Sequence, residues 1–425
     1  PYVEKVYPRR VYWGDTHLHT NLSVDAYNFG NKKLGPEEAY RFAKGEVIKA
    51  HNGMDASLRR PLDFLVIADH ASNMGVMNGL EIENPDLLNS EIGTRWAPRL
   101  KEINKAAKTD DVKAWKLSTR LFFDGFVEGI EASQSYQHSI WEDSIALADR
   151  HNDPGKFTAF IGYEWTQMFF NLHRVVIFKD SAEKAGQILP FSQFDGSDPE
   201  ELWAYMENYQ KTVGGEVLAI PHNGNFSTGV MFALEDAKGD VLSKEYARTR
   251  SQWEPLVEVT QMKGDSETHP ILSPSDEFAN YEKRSLDTFL YVDTKKNRGF
   301  HGYDSWINKY SQEKDTSWMR TYEYGRSALK LGLAEQHRTG VNPFKFGMIG
   351  STDSHTALST ADEDNFWGAL TEAGPHKNRV LESWRHGNKG KDKLPGWRMN
   401  AAGYAAIWAT ENTRESLFAA MKRKE

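Results

Sequence analysis

The chain of 425 residues has 52 Lys and Arg against 60 Asp and Glu, a formal net charge of −8 at pH 7, and 39% hydrophobic residues. This balance argues against nucleic acid or an anionic membrane as a partner, and no apolar run reaches the roughly 18 residues that span a bilayer. The count of 0 Cys excludes disulfides and thiolate metal ligands, while a start at Pro1 leaves a bacterial periplasmic, secreted or cytoplasmic location open.

Short β-rich apolar runs bounded by Gly, Pro and polar residues predict buried strands along the chain. These predicted strands are residues 10–15, 63–69, 157–165, 174–178, 216–222, 256–260, 346–352 and 404–409. Helical patterns lie between them. Strands that alternate with helices predict an α/β fold with a largely parallel sheet.

Helix-start signals mark three of the predicted helices, at residues 35–46, 198–212 and 412–424. Asp198 is placed as an N-cap with Pro199 at the first helical position, and Asn412 with Glu415 has the spacing of a capping box. We interpret residues 1–425 as a single domain. Residues 72–155 and 227–345 are interpreted as insertions into it.

Side chains that can bind metals follow the C-terminal ends of several predicted strands. They are His17, His19, Asp69, His70, Glu164, His222, Asp353 and His355. The loops after the strands of a parallel α/β barrel converge on one face, where such proteins build their sites. Taken alone, each motif can be explained without a metal, as a turn, a surface feature or a helix cap. The ordered set of motifs, however, predicts a metal centre.

The types of these residues indicate the chemistry. Imidazole nitrogens and carboxylate oxygens without sulfur suit Zn, Mn or Fe. His17 and His19 are two residues apart, so in an extended segment both point the same way and can bind one ion. The two oxygens of Glu164 can bridge two ions, and paired ions bind the attacking and leaving oxygens of a displacement.

Six motifs resemble those of the PHP (polymerase and histidinol phosphatase) superfamily: "HLHTNLSVD", "VIADH", "GYEW", "HRVVIF", "PHNGN" and "GSTDSH". The sequence is most similar to the PHP-like branch catalogued as DUF3604. The resemblance covers nearly the whole chain. It implies a distorted (β/α)7 barrel, similar to a TIM barrel, with two or three divalent metal ions at the C-terminal strand ends.

The resemblance also implies three groups of metal ligands, the first two of which share Glu164. They are His17, His19, Glu164 and Asp353 for a first ion; Glu164, His173 and His222 for a second; and Asp25, His70 and His355 for a third. Asp25 stands where many PHP proteins have His, which puts the third site in doubt. Asp69 is expected to orient the imidazole of His70 from outside the ligand set.

The expected activity is hydrolysis of a small anionic ester, most simply a phosphoester, by a metal-bound hydroxide, with Glu164, His222 and Asp353 as the catalytic ligands. The segment "GSTDS" lacks the Gly-x-Ser-x-Gly form of a serine nucleophile. Candidate substrate-binding residues are Arg174, Asn21, Asn223 and Lys263. A hydrolase of other esters or amides and a catalytically silent metal-binding module are the alternatives, and the oligomeric state is left open.

Overall fold

A computed structural model describes residues 7–283, 315–377, 379 and 402–425, which form a mixed α/β fold. The strands are β1 (Arg10–Leu18), β2 (Ile48–Lys49), β3 (Asp55–Ala56), β4 (Phe64–Ile67), β5 (Thr158–Gln167), β6 (Leu172–Phe178), β7 (Val217–His222), β8 (Leu256–Gln261), β9 (Gly264–Asp265), β10 (Gly347–Gly350) and β11 (Ala405–Ala409). The eight predicted strands therefore match β1, β4 to β8, β10 and β11.

Helices surround the strands. They are α1 (Val24–Asn28), α2 (Pro36–Ala43), α3 (Val76–Glu81), α4 (Pro85–Leu88), α5 (Glu91–Ala106), α6 (Asp111–Glu128), α7 (Gln134–His151), α8 (Ala182–Ala185), α9 (Pro199–Thr212), α10 (Lys244–Trp253), α11 (Gly325–Thr339) and α12 (Arg414–Arg423). Four 3₁₀ turns occur in the described residues, at Gly224–Phe226, Ser317–Tyr322, Glu363–Asn365 and Thr371–Ala373.

Six strands form a curled sheet shaped like half a barrel, in the order β11-β1-β4-β5-β6-β7. The pairs β1-β4 and β4-β5 are parallel, whereas β11, β6 and β7 each run antiparallel to their neighbours. A second sheet has the order β10-β8-β9, with β10 parallel to β8. The predicted α/β class is confirmed, but the predicted largely parallel sheet is wrong for these antiparallel pairs.

The connection between β5 and β6 explains the antiparallel pairing. Only residues 168–171 separate the two strands, and a parallel crossover needs a dozen or more residues. The described strands remain in separate sheets, so they do not show a closed (β/α)7 barrel.

The segment after β10 connects the two larger sheets. The backbone N–H of Asp353 donates to the carbonyl of His17 at 2.8 Å, and that of His19 donates to the carbonyl of Ser354 at 2.8 Å. Ser354 and Leu18 form an isolated parallel bridge. The end of β1 and the loop after β10 therefore lie side by side, although they are far apart in sequence.

Both faces of the six-stranded sheet are buried. On β4, Phe64 and Val66 belong to one hydrophobic cluster and Leu65 and Ile67 to another. Because both of its faces are buried, this strand is a continuous apolar run.

Residues 72–155 contain α3 to α7, part of which forms a hydrophobic cluster around Trp96. That these residues are an insertion into the rest of the chain stays a prediction.

Two predicted helix starts have different outcomes. The side chain of Asp198 accepts from the N–H of Glu201 at 2.9 Å, so it caps α9 as predicted. The capping box predicted at Asn412 is wrong, because Thr413 caps α12 by accepting from the N–H of Ser416 at 3.2 Å. Asn412 instead accepts from the hydroxyl of Thr158 at 2.7 Å.

Within the described residues, no helix combines the length and apolarity needed to cross a bilayer.

Candidate metal centre

The nine predicted metal ligands lie together, and each is at most 6% exposed. They are His17, His19, Asp25, His70, Glu164, His173, His222, Asp353 and His355. They come from the ends of β1, β4, β5 and β7, the start of β6, the loop after β10 and helix α1. In combinations of three or four, these side chains lie close enough to hold metal ions.

The first group contains the Nε2 atoms of His17 and His19, which lie 3.1 Å apart. Asp353 Oδ1 is 3.3 and 3.2 Å from these two nitrogens, and Glu164 Oε2 is 3.5 and 3.1 Å from them. Tetrahedral ligands about 2.0–2.2 Å from zinc are separated by about 3.3–3.5 Å. These five distances are therefore close to the ligand–ligand spacing of one coordination shell.

Two oxygens of this group have no hydrogen-bond partner among the described residues. They are Glu164 Oε2 and Asp353 Oδ1, and both are buried. A buried carboxylate oxygen without a donor is costly unless a cation compensates it. This donor set therefore fits a divalent ion.

The other oxygen of Glu164 faces a second group. Glu164 Oε1 is 3.0 Å from His222 Nε2 and also contacts His173 Nδ1. Glu164 thus directs one oxygen at each of two groups, which is the arrangement that a bridging carboxylate requires.

The direction of β6 explains how His173 joins the site. His173 stands at the start of its strand, unlike the ligands that follow strands. Because β6 runs antiparallel to β5 and β7, its start lies at their C-terminal ends, and His173 pairs with His222 and with Thr166.

The third group centres on Asp25 of α1. Asp25 Oδ2 is 3.1 Å from His70 Nε2 and 2.8 Å from His355 Nε2. His19 also lies within reach of this group, so it stands between the first and third groups. Asp25 therefore lies together with the histidines of the predicted third group.

Four of the imidazoles have a hydrogen-bond partner on the ring nitrogen that faces away from the groups. The pairs are His17 Nδ1 with Glu258 Oε2 (3.0 Å), His19 Nδ1 with Ser23 Oγ (2.8 Å), His355 Nδ1 with the carbonyl of Asp353 (2.8 Å), and His173 Nε2 with Asn171 Oδ1 (2.9 Å). An outer acceptor fixes the tautomer and leaves the inner nitrogen free to bind a metal. The sequence analysis did not identify Glu258, Ser23 or Asn171.

Asp69 does not orient His70 as predicted. It accepts from the backbone N–H and the hydroxyl of Thr20, each at 2.6 Å, and from Ser23 Oγ at 2.9 Å. Ser23 then contacts His19 Nδ1, so Asp69 acts on His19 through Ser23. The ring of His70 instead contacts Thr166 Oγ1 at 2.8 Å.

Asp15 is a second buried carboxylate outside the ligand set. It accepts from the N–H groups of His17 and Thr352, at 3.1 and 3.0 Å, and from Ser359 Oγ at 2.6 Å. Burial raises the pKa of Asp15 to about 6, although these donors act in the other direction. Asp15 therefore joins β1 to the loop that contains Asp353 and His355.

The electrostatics of the cluster favour cations. Burial alone would raise the pKa of Glu164 and Asp353, but neighbouring histidines, and Lys263 beside Asp353, hold both well below the ordinary value. Burial alone would lower the pKa of His19, but Asp353 and Glu164 raise it to about 9. Ionised carboxylates in a buried site attract cations, either protons or metal ions. Protons and metal ions compete for the same histidine nitrogens.

Of the predicted substrate-binding residues, Lys263 contacts a ligand. Its Nζ donates to Asp353 Oδ2, and its side chain is 27% exposed. Burial alone would lower the pKa of Lys263, but Asp353 and Glu164 raise it, so the ammonium is charged. Lys263 therefore both contacts the cluster and is accessible to solvent, as a substrate-binding residue must be.

The other three candidates lie in different surroundings. Arg174 is buried and donates through Nε to Glu254 Oε1 at 3.0 Å, because alternation along β6 directs it away from His173. Asn223 accepts from the side chain of Gln261 and has a left-handed φ of 59°. Asn21 is half-buried, and its N–H donates to the carbonyl of Leu34 at 3.0 Å.

Comparison with known proteins gave one family. The family model described as "Protein of unknown function (DUF3604)" matches residues 6–425. No curated protein and no solved structure gave a significant match.

Proposed function

The chain belongs to the DUF3604 family, and from this starting point we propose that it is a metal-dependent hydrolase, most simply a phosphoesterase. The observation that carries the proposal is the first ligand group. There, two histidine Nε2 atoms lie 3.1 Å apart, and each is 3.1–3.5 Å from two carboxylate oxygens that have no hydrogen bonds within the described residues. Such a set of His and carboxylate donors is typical of hydrolytic metal sites.

We also propose that the chain is related to the PHP superfamily, with a distorted (β/α)7 barrel as its architecture. The proposal is supported by the order of the motifs and by the convergence of the nine ligands at one edge of the sheet. In this arrangement, β8 and β10 would complete the barrel that the six-stranded sheet half encloses.

Ions in the three groups would be held by the nine ligands as grouped above. Bound divalent ions would supply an acidified water as nucleophile and neutralise anionic oxygens of the substrate. The ligand set includes both carboxylates of the first group, and outer partners fix four of the histidines. The protein's own contribution is thus a rigid, preorganised arrangement of donors.

The charge balance favours an anionic substrate. Three ligand carboxylates and Glu258 would together carry four negative charges, which two divalent ions would balance. The positive charge of Lys263, or of a third ion, would then make the net charge of the site positive. The ammonium of Lys263 would bind an oxyanion of the substrate beside Asp353.

No side-chain nucleophile is needed. Ser351 and Ser354 flank Asp353, but both are buried. Ser351 Oγ donates to the carbonyl of Gly350 at 2.9 Å, and Ser354 Oγ contacts Thr356 Oγ1 at 2.9 Å. We expect the attacking oxygen to come from water.

The proposal is tested by elemental analysis of the purified protein together with turnover of an aryl phosphate, an aryl carboxylic ester and an anilide. We expect bound Zn, Mn or Fe, loss of turnover on chelation, and recovery on adding Zn²⁺ or Mn²⁺. Turnover of the carboxylic ester or the anilide alone would favour the alternative hydrolase. Retained metal with no turnover would favour a catalytically silent metal-binding module.

Single-turnover hydrolysis in ¹⁸O-labelled water tests the mechanism. Label must enter the released phosphate in the first turnover. A first turnover that releases unlabelled phosphate would show that a side-chain carboxylate supplied the oxygen and would contradict the proposal. A serine route also gives labelled phosphate, so the configuration at a chiral phosphorus is measured as well: inversion is expected for direct attack by water, and retention would contradict it.

A further inference from the structure

Glu258 is a buried carboxylate beside the metal centre to which the sequence analysis gave no role. It lies on β8, in a different sheet from β1, and its side chain is 0% exposed. Its ion-pair partner among the described residues is His17, through Nδ1 and Oε2 at 3.0 Å. A carboxylate buried in this way carries a large desolvation cost, which a single imidazole offsets poorly.

The second oxygen of Glu258 has no hydrogen bond in the described part of the chain, and a second histidine lies near this carboxylate. Glu258 Oε1 and His222 Nδ1 are both buried, and neither has a hydrogen-bond partner among the described residues. Glu258, His17 and His222 all have donor atoms within 4.8 Å of one another, and the rings of the two histidines lie 4.1 Å apart. Within the described residues, Glu258 Oε1 and His222 Nδ1 are therefore an acceptor and a ring nitrogen left without a hydrogen bond in the same small group.

His17 and His222 belong to different ligand groups. His17 Nε2 faces Asp353 in the first group, and His222 Nε2 faces Glu164 in the second. A carboxylate that accepts from the outer nitrogens of both rings would hold both in the tautomer with a free Nε2. It would also make both rings more basic ligands.

We propose that Glu258 is a positioning residue shared by two metal ligands, with Oε2 accepting from His17 and Oε1 from His222. It binds no ion itself and acts on two metal positions through their histidines. This inference rests on the proposed function, because it assigns metals to the first and second groups.

The test is the variant Glu258→Gln. It keeps the size of the side chain, but its amide offers one acceptor and no negative charge. We expect the affinity for Zn²⁺, measured by competition with a chromophoric chelator, to fall about 10–100-fold. At saturating Zn²⁺ the number of bound ions should be unchanged, and the visible spectrum of the Co²⁺-loaded protein should shift.

Glu335→Gln is the matched control. Glu335 is a buried glutamate on α11 that pairs with Arg338, and we expect its substitution to leave the affinity for Zn²⁺ unchanged. The metal-free Glu258→Gln protein should unfold in urea at the same or a higher concentration than wild type, because a poorly compensated buried charge is removed. A purely structural role would instead lower this stability and leave the affinity unchanged.

Other outcomes separate this inference from the proposed function. Unchanged affinity in Glu258→Gln would overturn the positioning role alone, and loss of one bound ion at saturation would show that Glu258 is itself a ligand. A wild-type protein that binds no divalent ion would overturn both proposals. If Glu258→Gln does not fold, Glu258→Asp is measured in its place, with the same three outcomes.

Discussion

Ser23 Oγ lies 2.8 Å from His19 Nδ1, and this contact leaves the other ring nitrogen of His19 facing two carboxylates. Ser23 also donates to Asp69. Burial raises the pKa of Asp69, and donors such as Ser23 act in the other direction by stabilising the carboxylate. The three residues form a chain from a buried carboxylate to a metal ligand. Its purpose is to fix one tautomer of His19.

Ser23→Ala should therefore weaken metal binding while the fold is kept. We expect the affinity for Zn²⁺ to fall about 10-fold or more, because the ring of His19 loses its outer acceptor. Chelator competition measures the effect. Ser144→Ala on α7, which removes a hydroxyl bonded to the carbonyl of Ile140 at 2.8 Å, is the control and should bind metal as wild type does. Equal affinities in the two variants would contradict the role of Ser23.

Glu164→Gln should reduce the metal content of the protein. The variant keeps the volume of the side chain but removes the charge that faces both the first and second groups. We expect elemental analysis to find at least one ion fewer per chain, and turnover to be lost with it. Full metal content together with wild-type turnover would rule out the bridging role.

Arg174→Met and Lys263→Met should separate structure from substrate binding. Arg174 is paired with Glu254 away from the cluster, so its loss should lower the free energy of unfolding by about 3–5 kcal/mol. The KM for para-nitrophenyl phosphate should stay unchanged. Lys263→Met should raise that KM about 10-fold or more with little change in stability, because its ammonium reaches the cluster from solvent. Urea unfolding and steady-state kinetics measure the two effects, and the reverse pattern would refute this assignment.

Glu200 on α9 should make the stability of the protein depend on pH. Burial, with Asp198 nearby, raises the pKa of Glu200 to about 7. The folded state therefore holds a proton that the unfolded state has released, and stability falls as pH rises from about 4.5 to 7.

Glu200→Gln should therefore stabilise the protein at pH 8 and leave it nearly unchanged at pH 4.5. With allowance for partial exposure of the side chain, the expected gain at pH 8 is about 1–2 kcal/mol in urea unfolding. Glu207→Gln, an exposed position on the same helix, is the control and should show no such dependence on pH. A gain of equal size at both pH values would contradict the raised pKa.

The sequence predicted which side chains lie together because strand ends can be located from apolar runs. Alternation along β6 also explains why Arg174, a predicted substrate-binding residue, points away from its neighbour His173 and pairs with Glu254. The same alternation explains the error at Asp69. Adjacent residues in extended backbone point to opposite sides, so Asp69 faces Thr20 and Ser23 rather than the ring of His70.

Residues that act through long-range contacts could not be predicted from local patterns. Glu258 stands inside the apolar run "LVEVTQ". From the sequence alone, an acidic residue there fits a solvent-facing position on an edge strand as well as a buried position. Its role depends on β8 packing across the site from β1. The signal that could have found it is the placement of a charge at an inward-facing position of a buried strand.

The pairing between the end of β1 and the loop after β10 has a consequence for how the protein matures. Asp15 bonds to Thr352, 337 residues further along the chain, and the ligand set extends from His17 to His355. A ribosome must therefore release almost the whole of this segment before the first ligand group can assemble. Until then His17 and His19 stay apart from Asp353, so the first group would bind an ion only late in biosynthesis, and a prematurely terminated chain lacks the complete group.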